Sequence, residues 1–169
     1  ISAVKKTAIR CNANVGINLY CKTEHQTVQN TTLLFNRKGE LAAKYVKQHL
    51  PASEYSNPYV DHSYLYESHP PQCTEIDGIR YAFLTCYDVY YTEFIHRMQL
   101  EKPDIILVSS LQRAEREDIL EMQAKYCAFI CNAYVVRSSF SMGSSAQTGG
   151  CSMIVAPDGN VLTNFHQFA

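Results

Sequence analysis

The sequence predicts an α/β fold, and the order of its apolar runs in the second half of the chain indicates that class. The near-continuous apolar run Ile79–Thr85 is typical of a strand buried on both faces. A helical segment from about Thr92 to Glu101 follows it, and Ile105–Ser109 supplies a second buried strand. A further helix is predicted after that strand. Alternating strands and helices of this kind favour an α/β domain with parallel strands.

The first half of the chain predicts an antiparallel hairpin. Val15–Tyr20 and Thr32–Phe35 have the composition of strands, and a polar turn containing Gly39 follows the second of them. That turn directs the chain back along Leu41–Val46. The segment Pro51–Gln72 then becomes rich in Pro, Ser, Asn, His and Tyr, which predicts a long loop near the functional site.

The last third predicts a helix, a strand and a second hairpin. Apolar residues at Ile119, Met122 and Tyr126 have helical spacing within a predicted helix, Glu115–Cys127. Phe129–Arg137 is predicted as the next strand. The hairpin is predicted because Pro-Asp-Gly lies between two apolar runs; it comprises Cys151–Ala156, the turn Pro157–Asn160 and Val161–Asn164.

Composition favours one globular domain over residues 1–169 and excludes several classes of function. The 15 basic and 16 acidic residues leave a net charge of -1, without the basic excess of a nucleic-acid-binding protein. No apolar run approaches the ~20 residues that a transmembrane helix needs. The seven cysteines are odd in number and include no CxxC pair, so we expect reduced thiols in the cytoplasm. Both termini are expected to be truncated, because the chain begins with Ile1 and ends soon after a predicted strand.

Cys86 and Lys47 are the candidate chemical groups, and local sequence leaves a bland alternative open for each. Cys86 falls where a strand gives way to a helix, a position that exposes a side chain beside backbone N–H donors and favours a thiolate. A small buried core cysteine fits the same position. Lys47 ends a hairpin strand, where it is either a stabiliser of negative charge or a solvated lysine.

Two other groups of residues suggest a functional site, and each has a simpler explanation. Cys127 and Cys131 have the spacing of a metal-binding pair, but they are predicted to straddle a helix-to-strand boundary without a histidine partner, so core packing is favoured. A papain-like Cys-His pair would join Cys86 to one of several histidines but would leave Lys47 unexplained. Those histidines are His49, His62, His69 and His96.

Three segments in order resemble the nitrilase superfamily of carbon-nitrogen hydrolases. Asn30–Leu50 resembles an asparagine-led strand, a Gly turn and a Tyr-x-Lys-x-His-Leu run, with its lysine at Lys47. Gly78–Asp88 resembles the strand and turn that carry the nucleophilic cysteine, here Cys86. Gly149–Gly159 resembles a late hairpin of the family. The resemblance covers most of the chain from about residue 14 onward.

This resemblance implies a four-layer α-β-β-α sandwich, here incomplete because the first strand-helix units are missing, and a Glu-Lys-Cys site without metal or organic cofactor. The Cys86 thiolate would attack an amide, carbamoyl or nitrile carbon, while Lys47 and the backbone N–H of Tyr87 would stabilise the oxyanion. The family's general-base glutamate is expected upstream of residue 1. Glu54 matches a second family glutamate that positions the site; an exposed loop carboxylate is its alternative.

The segment after the strand Ile105–Ser109 is expected to select the substrate. It carries Gln112 and Arg113, and an arginine there could hold a substrate carboxylate through a bidentate contact. Three later segments are similar to N-carbamoyl-D-amino-acid hydrolases, namely Met122–Ala124, Asn132–Tyr134 and Cys151–Pro157. The prediction is therefore an amidase or carbamoylase acting on a small molecule, a homo-oligomer without nucleic-acid or membrane partners; the alternative is a non-catalytic relative that keeps the fold for binding or assembly.

Overall fold

The computed structural model describes residues 1–63, 72–143 and 145–166. The chain divides into two compact units: the amino-terminal unit is Ile1–His69 and the carboxyl-terminal unit is Pro70–Ala169. Sheets and helices occur together, so the predicted α/β class is confirmed. The single domain over residues 1–169 stays a prediction. Within the described ranges, every helix is too short or too polar to cross a bilayer.

The amino-terminal unit contains a three-stranded antiparallel sheet with a helix packed on it. Its elements are α1 (Ser2–Cys11), β1 (Val15–Lys22), β2 (Val28–Phe35), β3 (Leu41–Val46) and α2 (Ala52–Tyr55). Ala8 of α1 packs with Leu33 and Phe35 of β2 in a buried cluster. The predicted β2–β3 hairpin is present, and Asn36 stabilises its turn by accepting the backbone N–H groups of Lys38 and Glu40 at 3.0 Å each.

The carboxyl-terminal unit is a mixed sheet with two helices. In chain order its elements are β4 (Thr74–Ile76), β5 (Ile79–Thr85), a 3-10 helix (Cys86–Tyr90), α3 (Thr92–Leu100), β6 (Ile105–Ser110), α4 (Glu117–Cys131), β7 (Tyr134–Ser139), β8 (Met153–Val155) and β9 (Val161–Asn164). The strands lie in the order β4-β5-β6-β7-β8-β9. Strands β5, β6 and β7 are parallel and the remaining pairs are antiparallel.

The register of the three parallel strands brings their carboxyl ends to one edge of the sheet. Thr85 pairs with Ser109, and Ser109 pairs with Ser138. Residues that follow these strands therefore emerge at the same edge, which is where open α/β sheets bind their ligands. Cys86 is the first residue beyond β5, so it lies at this edge.

The predicted boundary between the last helix and the next strand was wrong. Helix α4 continues to Cys131, and β7 begins at Tyr134 rather than at Phe129. Asn132 ends the helix in the left-handed conformation (φ 49°, ψ 46°), which asparagine adopts more readily than most residues. Cys127 and Cys131 therefore do not straddle a boundary; both lie in α4, four residues apart and buried.

The spacing of three apolar residues predicted a helix here and α4 is present, but the helix packs on another face. Of the three apolar residues that suggested it, Ile119 and Met122 are 36% and 56% exposed. The face that packs instead contains smaller side chains, namely Leu120, Ala124, Cys127, Ala128 and Cys131. Small side chains let the helix approach the sheet closely, so the tertiary contact selects them over larger apolar residues.

The long loop predicted for Pro51–Gln72 is only partly a loop among the described residues. It begins with α2, and Val60 forms a parallel bridge with Val28 of β2. Residues 64–71 of this segment, including His69, lie outside the described residues. Strand β4, which begins at Thr74, was not predicted.

Candidate active site

Cys86 occupies a strained turn between β5 and the 3-10 helix. Its backbone has φ +50°, a left-handed conformation that is uncommon for a residue other than glycine. Thr85 and Asp88 hold this turn by capping each other: the Thr85 N–H donates to Asp88 Oδ2 at 2.8 Å, and the Thr85 side chain accepts the Asp88 N–H. Asp88 is fully buried, whereas Cys86 is half-buried. Strain maintained in this way clusters at functional sites, and it fixes the direction of the Cys86 side chain.

Tyr87 and Arg113 lie in different environments within the carboxyl-terminal unit. Tyr87 is the second residue of the 3-10 helix and is half-buried, with its ring centroid 5.4 Å from that of Tyr90 and 5.5 Å from that of Tyr91. Arg113 is exposed. It is therefore accessible to a ligand from solvent, while Tyr87 is supported by aromatic neighbours.

Gln112 is the centre of a hydrogen-bond network after β6, and its own side chain is buried. Its Oε1 accepts the Ser110 hydroxyl at 2.7 Å, and its Nε2 donates to Tyr90 Oη at 3.2 Å and to Gln123 Oε1 at 2.8 Å. Tyr90 in turn donates to Glu115, and the pKa of Tyr90 is raised by burial and by that carboxylate. The amide of Gln112 thus uses its donors and its acceptor inside the protein, which fixes its rotamer.

Arg137 was missed by the sequence reasoning and lies at the same edge of the sheet. It is 4% exposed, and its Nη1 donates to the carbonyl oxygens of Gly150 and Cys151 at 2.6 and 2.7 Å. Its Nη2 donates to Gln112 Oε1 at 3.3 Å. Burial lowers the pKa of the Arg137 guanidinium, opposed by the nearby anionic forms of Cys151, Cys86, Glu115 and Tyr90. Its position in an otherwise apolar strand run was the available signal.

Lys47 and Glu54 form an ion pair in the amino-terminal unit. Lys47 Nζ donates to Glu54 Oε2 at 2.7 Å, and the two side chains are 1% and 18% exposed. Lys47 is therefore not the solvated lysine that its local sequence allowed, and Glu54 is not a free loop carboxylate. A buried ammonium is tolerated only with such a partner, because desolvation otherwise disfavours its charge.

Asn30 and Tyr20 orient Glu54 through its second oxygen. Glu54 Oε1 accepts the Tyr20 hydroxyl at 3.0 Å and Asn30 Nδ2 at 3.3 Å. The Asn30 side chain is fixed by Asn18, whose Nδ2 donates to Asn30 Oδ1 at 2.9 Å, and the Asn30 carbonyl accepts the Lys47 N–H at 2.9 Å. Asn30 thus contacts both members of the ion pair. In the sequence, its place at the start of the Asn30–Leu50 motif was the only signal of this role.

The remaining candidate groups have other environments. Burial raises the pKa of Cys127 to about 12 and that of Cys131 to about 11. Within the described residues, no group of three or more potential metal ligands is assembled. In the carboxyl-terminal unit His96 Nε2 lies 3.1 Å from Tyr126 Oη and His166 contacts Glu117, so neither of these histidines is engaged with Cys86.

The sequence matches the family model described as Carbon-nitrogen hydrolase over residues 2–169, and the chain belongs to that family. A "Hydrolase in pqqF 5'region" of Pseudomonas protegens is 27% identical over 136 residues, which are 79% of this chain and 45% of that protein. The 2-oxoglutaramate amidase of Bacillus subtilis is 24% identical over 163 residues, 95% of this chain and 61% of the amidase. The chain thus spans about half the length of these relatives.

A solved amidase of the nitrilase superfamily from Nesterenkonia shares the fold. It is 18% identical, with a TM-score of 0.76 over 98% of this chain and 62% of the amidase. At that identity the likeness concerns the fold alone. A variant of this amidase carries the acetamide moiety of fluoroacetamide covalently added at its active-site cysteine. The match to the carbon-nitrogen hydrolase family model is what confirms the family that the three sequence motifs indicated.

Proposed function

We propose that the whole protein hydrolyses a non-peptide C–N bond, in an amide or an N-carbamoyl compound, through a thioester on Cys86. The observation that carries this proposal is the Cys86 turn: a cysteine held at positive φ by the Thr85–Asp88 caps, at the carboxyl edge of three parallel strands. A strained turn at the end of a buried parallel strand directs the side chain away from the sheet edge, as a nucleophile requires. Family membership supplies the reaction class.

The reaction proceeds in two displacements. The Cys86 thiolate attacks the carbonyl carbon, an S–C bond forms, and the carbonyl π electrons move onto oxygen. The oxyanion then collapses, the C–N bond breaks, and the amine departs with a proton. Water attacks the thioester next, which releases the acid and restores the thiol. A general base accepts and returns these protons, and the family pattern assigns that role to a glutamate upstream of Lys47.

Lys47 and Glu54 are proposed to supply fixed charge to this reaction. An ammonium that is 1% exposed stabilises a developing oxyanion far more than a solvated one, because water does not screen it. Glu54, which accepts hydrogen bonds from Tyr20 and Asn30, is proposed to hold the Lys47 ammonium in one rotamer. The backbone N–H of Tyr87 is proposed as a second oxyanion donor.

Substrate choice is proposed to depend on Gln112 and Arg113. Arg113 is exposed and free to pair with a carboxylate, and Gln112 has a rotamer fixed by its hydrogen-bond network. 2-Oxoglutaramate, the compound in the name of the Bacillus relative, combines a carboxylate with an amide. It is therefore a suitable first substrate to compare with an uncharged amide.

We also propose that the protein works in the cytoplasm as a homo-oligomer. The cysteines are free, as expected in a reducing compartment. Helix α4 exposes Met122 and Phe129, which are 56% and 68% accessible, and large apolar side chains of this kind favour burial against another subunit. Sedimentation velocity of the parent chain and a Phe129→Glu variant tests the second point: we expect the charged variant to dissociate.

Fluoroacetamide labelling tests the role of Cys86. In this probe the S–C bond forms as the C–F bond breaks and fluoride leaves, and ordinary thiols displace fluoride poorly. We expect one adduct by intact mass, assigned to Cys86 by peptide mapping and abolished in Cys86→Ala. Cys73→Ala is the matched control, since Cys73 is also half-buried and its pKa is raised by burial; it should label like the parent. Lys47→Met should lower kcat/KM for an amide substrate by about 100-fold or more, a loss typical of one oxyanion donor.

Two results would contradict the proposed role of Cys86 or the proposed activity. Labelling that persists in Cys86→Ala would remove Cys86 as the nucleophile. A whole protein that is folded, unlabelled at Cys86 and inactive on amide and N-carbamoyl substrates would instead be a relative that uses the fold for binding or assembly.

A further inference from the structure

We infer that Arg137 is a positioning residue that acts through Cys86. Its buried positive charge favours the Cys86 thiolate, and its hydrogen bonds hold the turn Gly149–Cys151 against the guanidinium. This inference rests on the proposed function of Cys86. It assigns a fixed cation to the same compact unit that carries the nucleophile.

Arg137 and the Cys86 turn lie near the same edge of the sheet. Arg137 pairs with Val108 of β6, and Val108 pairs with Leu84 of β5, two residues before Cys86. In parallel strands, residues in register direct their side chains to the same face. Arg137 is therefore located near the carboxyl edge at which the Cys86 turn begins, one strand beyond the intervening β6.

Arg137 carries a buried positive charge whose hydrogen-bond partners are neutral oxygens. Arg137 is 4% exposed, and its three hydrogen bonds go to uncharged oxygens, two carbonyls and the Gln112 amide. Among the described residues no carboxylate lies within ion-pair distance of it. A buried charge without a paired counter-ion is unfavourable, so its retention points to an anion formed during function.

Four ionisable groups interact electrostatically with the Arg137 charge. The ionisable groups acting on Arg137 are Cys151, Cys86, Glu115 and Tyr90, and Tyr90 and Glu115 satisfy each other by a hydrogen bond. Cys151 is fully buried and donates to the Gly149 carbonyl at 3.4 Å, and burial raises its pKa. Cys86, which is half-buried and accessible to a substrate, is the remaining group that can become the anion.

The hydrogen bonds give Arg137 its second effect. Residues 149–151 all have positive φ, at 75°, 69° and 63°, and the guanidinium binds the carbonyls of the last two. The Gly149 N–H donates to the Glu115 carbonyl at 2.8 Å. A planar guanidinium fits two adjacent carbonyls better than an ammonium does, so lysine would keep the charge but not this clamp.

The test measures the pH dependence of Cys86 alkylation in the full chain. Iodoacetamide reacts with the thiolate, and peptide mapping follows each cysteine separately, so turnover is not needed. In Arg137→Gln we expect the pH of half-maximal Cys86 alkylation to rise by about one unit, the lower end of the shift that a neighbouring opposite charge produces. The rate at high pH, where every thiol is ionised, should stay within about twofold.

Two further variants separate charge from structure. Arg137→Lys retains the charge, so its midpoint should stay within about 0.3 units of the parent, and this variant decides the question if circular dichroism shows Arg137→Gln unfolded. Arg116→Gln is the matched control, because Arg116 is 71% exposed in the same unit and should leave the midpoint unchanged.

The failures of the two proposals are distinguishable. A reactive Cys86 whose midpoint is the same in a folded Arg137→Gln overturns the role of Arg137 alone, as does a shift confined to Cys151. A rise of a full unit in Arg137→Lys also overturns it, because charge would then be irrelevant. A parent chain in which Cys86 is never alkylated overturns the nucleophile assignment and this inference with it.

Discussion

The Lys47–Glu54 pair predicts an asymmetric loss of stability. Glu54→Gln leaves an ammonium that is 1% exposed without its counter-ion, while Lys47→Met removes that ammonium and leaves a carboxylate that is 18% exposed. Breaking a fully buried pair typically lowers the free energy of unfolding by about 3–5 kcal/mol. Partial access of water to Glu54 places the expected loss in Glu54→Gln near the lower end, at about 3 kcal/mol.

Lys47→Met should be milder because the carboxylate keeps other partners. Glu54 still accepts hydrogen bonds from Tyr20 and Asn30, and methionine fills most of the volume of the lysine stem. We expect a loss of about 1 kcal/mol. The double variant should resemble Lys47→Met, so the coupling between the two positions amounts to about 3 kcal/mol.

Urea unfolding followed by far-UV circular dichroism measures these differences. A change in midpoint with an unchanged m-value reports stability itself. Since the chain has two compact units, hydrogen exchange of the β2 amides supplies a probe confined to the amino-terminal unit. Glu24→Gln is the matched control, an exposed glutamate of the same unit that should stay within about 0.5 kcal/mol of the parent. The reasoning is refuted if Glu54→Gln loses less than about 1 kcal/mol or if the two single losses simply add in the double variant.

Three other results are expected. Arg113→Ala in the whole protein should reduce kcat/KM for a carboxylate-bearing amide by about tenfold more than for an uncharged amide, and an equal reduction for both would reject the carboxylate contact. Cys127 and Cys131, with pKa values raised by burial to about 12 and about 11, should resist iodoacetamide at pH 8 until urea is added. Because the unfolded thiols ionise near 9.0, the free energy of unfolding should be retained below pH 9 and fall progressively above it. Urea unfolding midpoints measured against pH will show this fall. Gly149→Ala should lower the free energy of unfolding by about 2 kcal/mol, because at φ +75° the new Cβ would lie 2.9 Å from Met142 Cγ and 3.0 Å from the Gln112 carbonyl oxygen. Gly78→Ala, with φ +76° and open space around it, should lose only about 1 kcal/mol. Equal losses in the two variants would exclude a steric contribution at Gly149.

Several elements could be predicted because their information is local. Strand β5 was recognised from an uninterrupted apolar run, since both faces of a central parallel strand are covered. The hairpin turns after β2 and β8 were recognised from turn residues that satisfy their own backbone. The position of Cys86 at the end of β5 followed from these same patterns.

The packed face of α4 and its last residue could not be predicted from local sequence. Its sequence is helical with apolar residues on more than one side, so periodicity supported the face that proved exposed as well as the face that packs. Its end depends on Asn132 in the left-handed conformation, and the apolar residues before Asn132 suit a strand as well as a helix. Packing against the sheet settled both points.

The sequence by itself determined the α/β class, the order of the elements around Cys86 and the family resemblance, because these depend on residues close together in the chain. Only the tertiary structure decided that Lys47 is buried against Glu54, that Asn30 and Tyr20 brace that carboxylate, and that Arg137 is enclosed among carbonyl oxygens. The reason is physical: burial and partner choice for a charged side chain depend on residues from distant segments, and a local pattern cannot distinguish a solvated charge from an enclosed one.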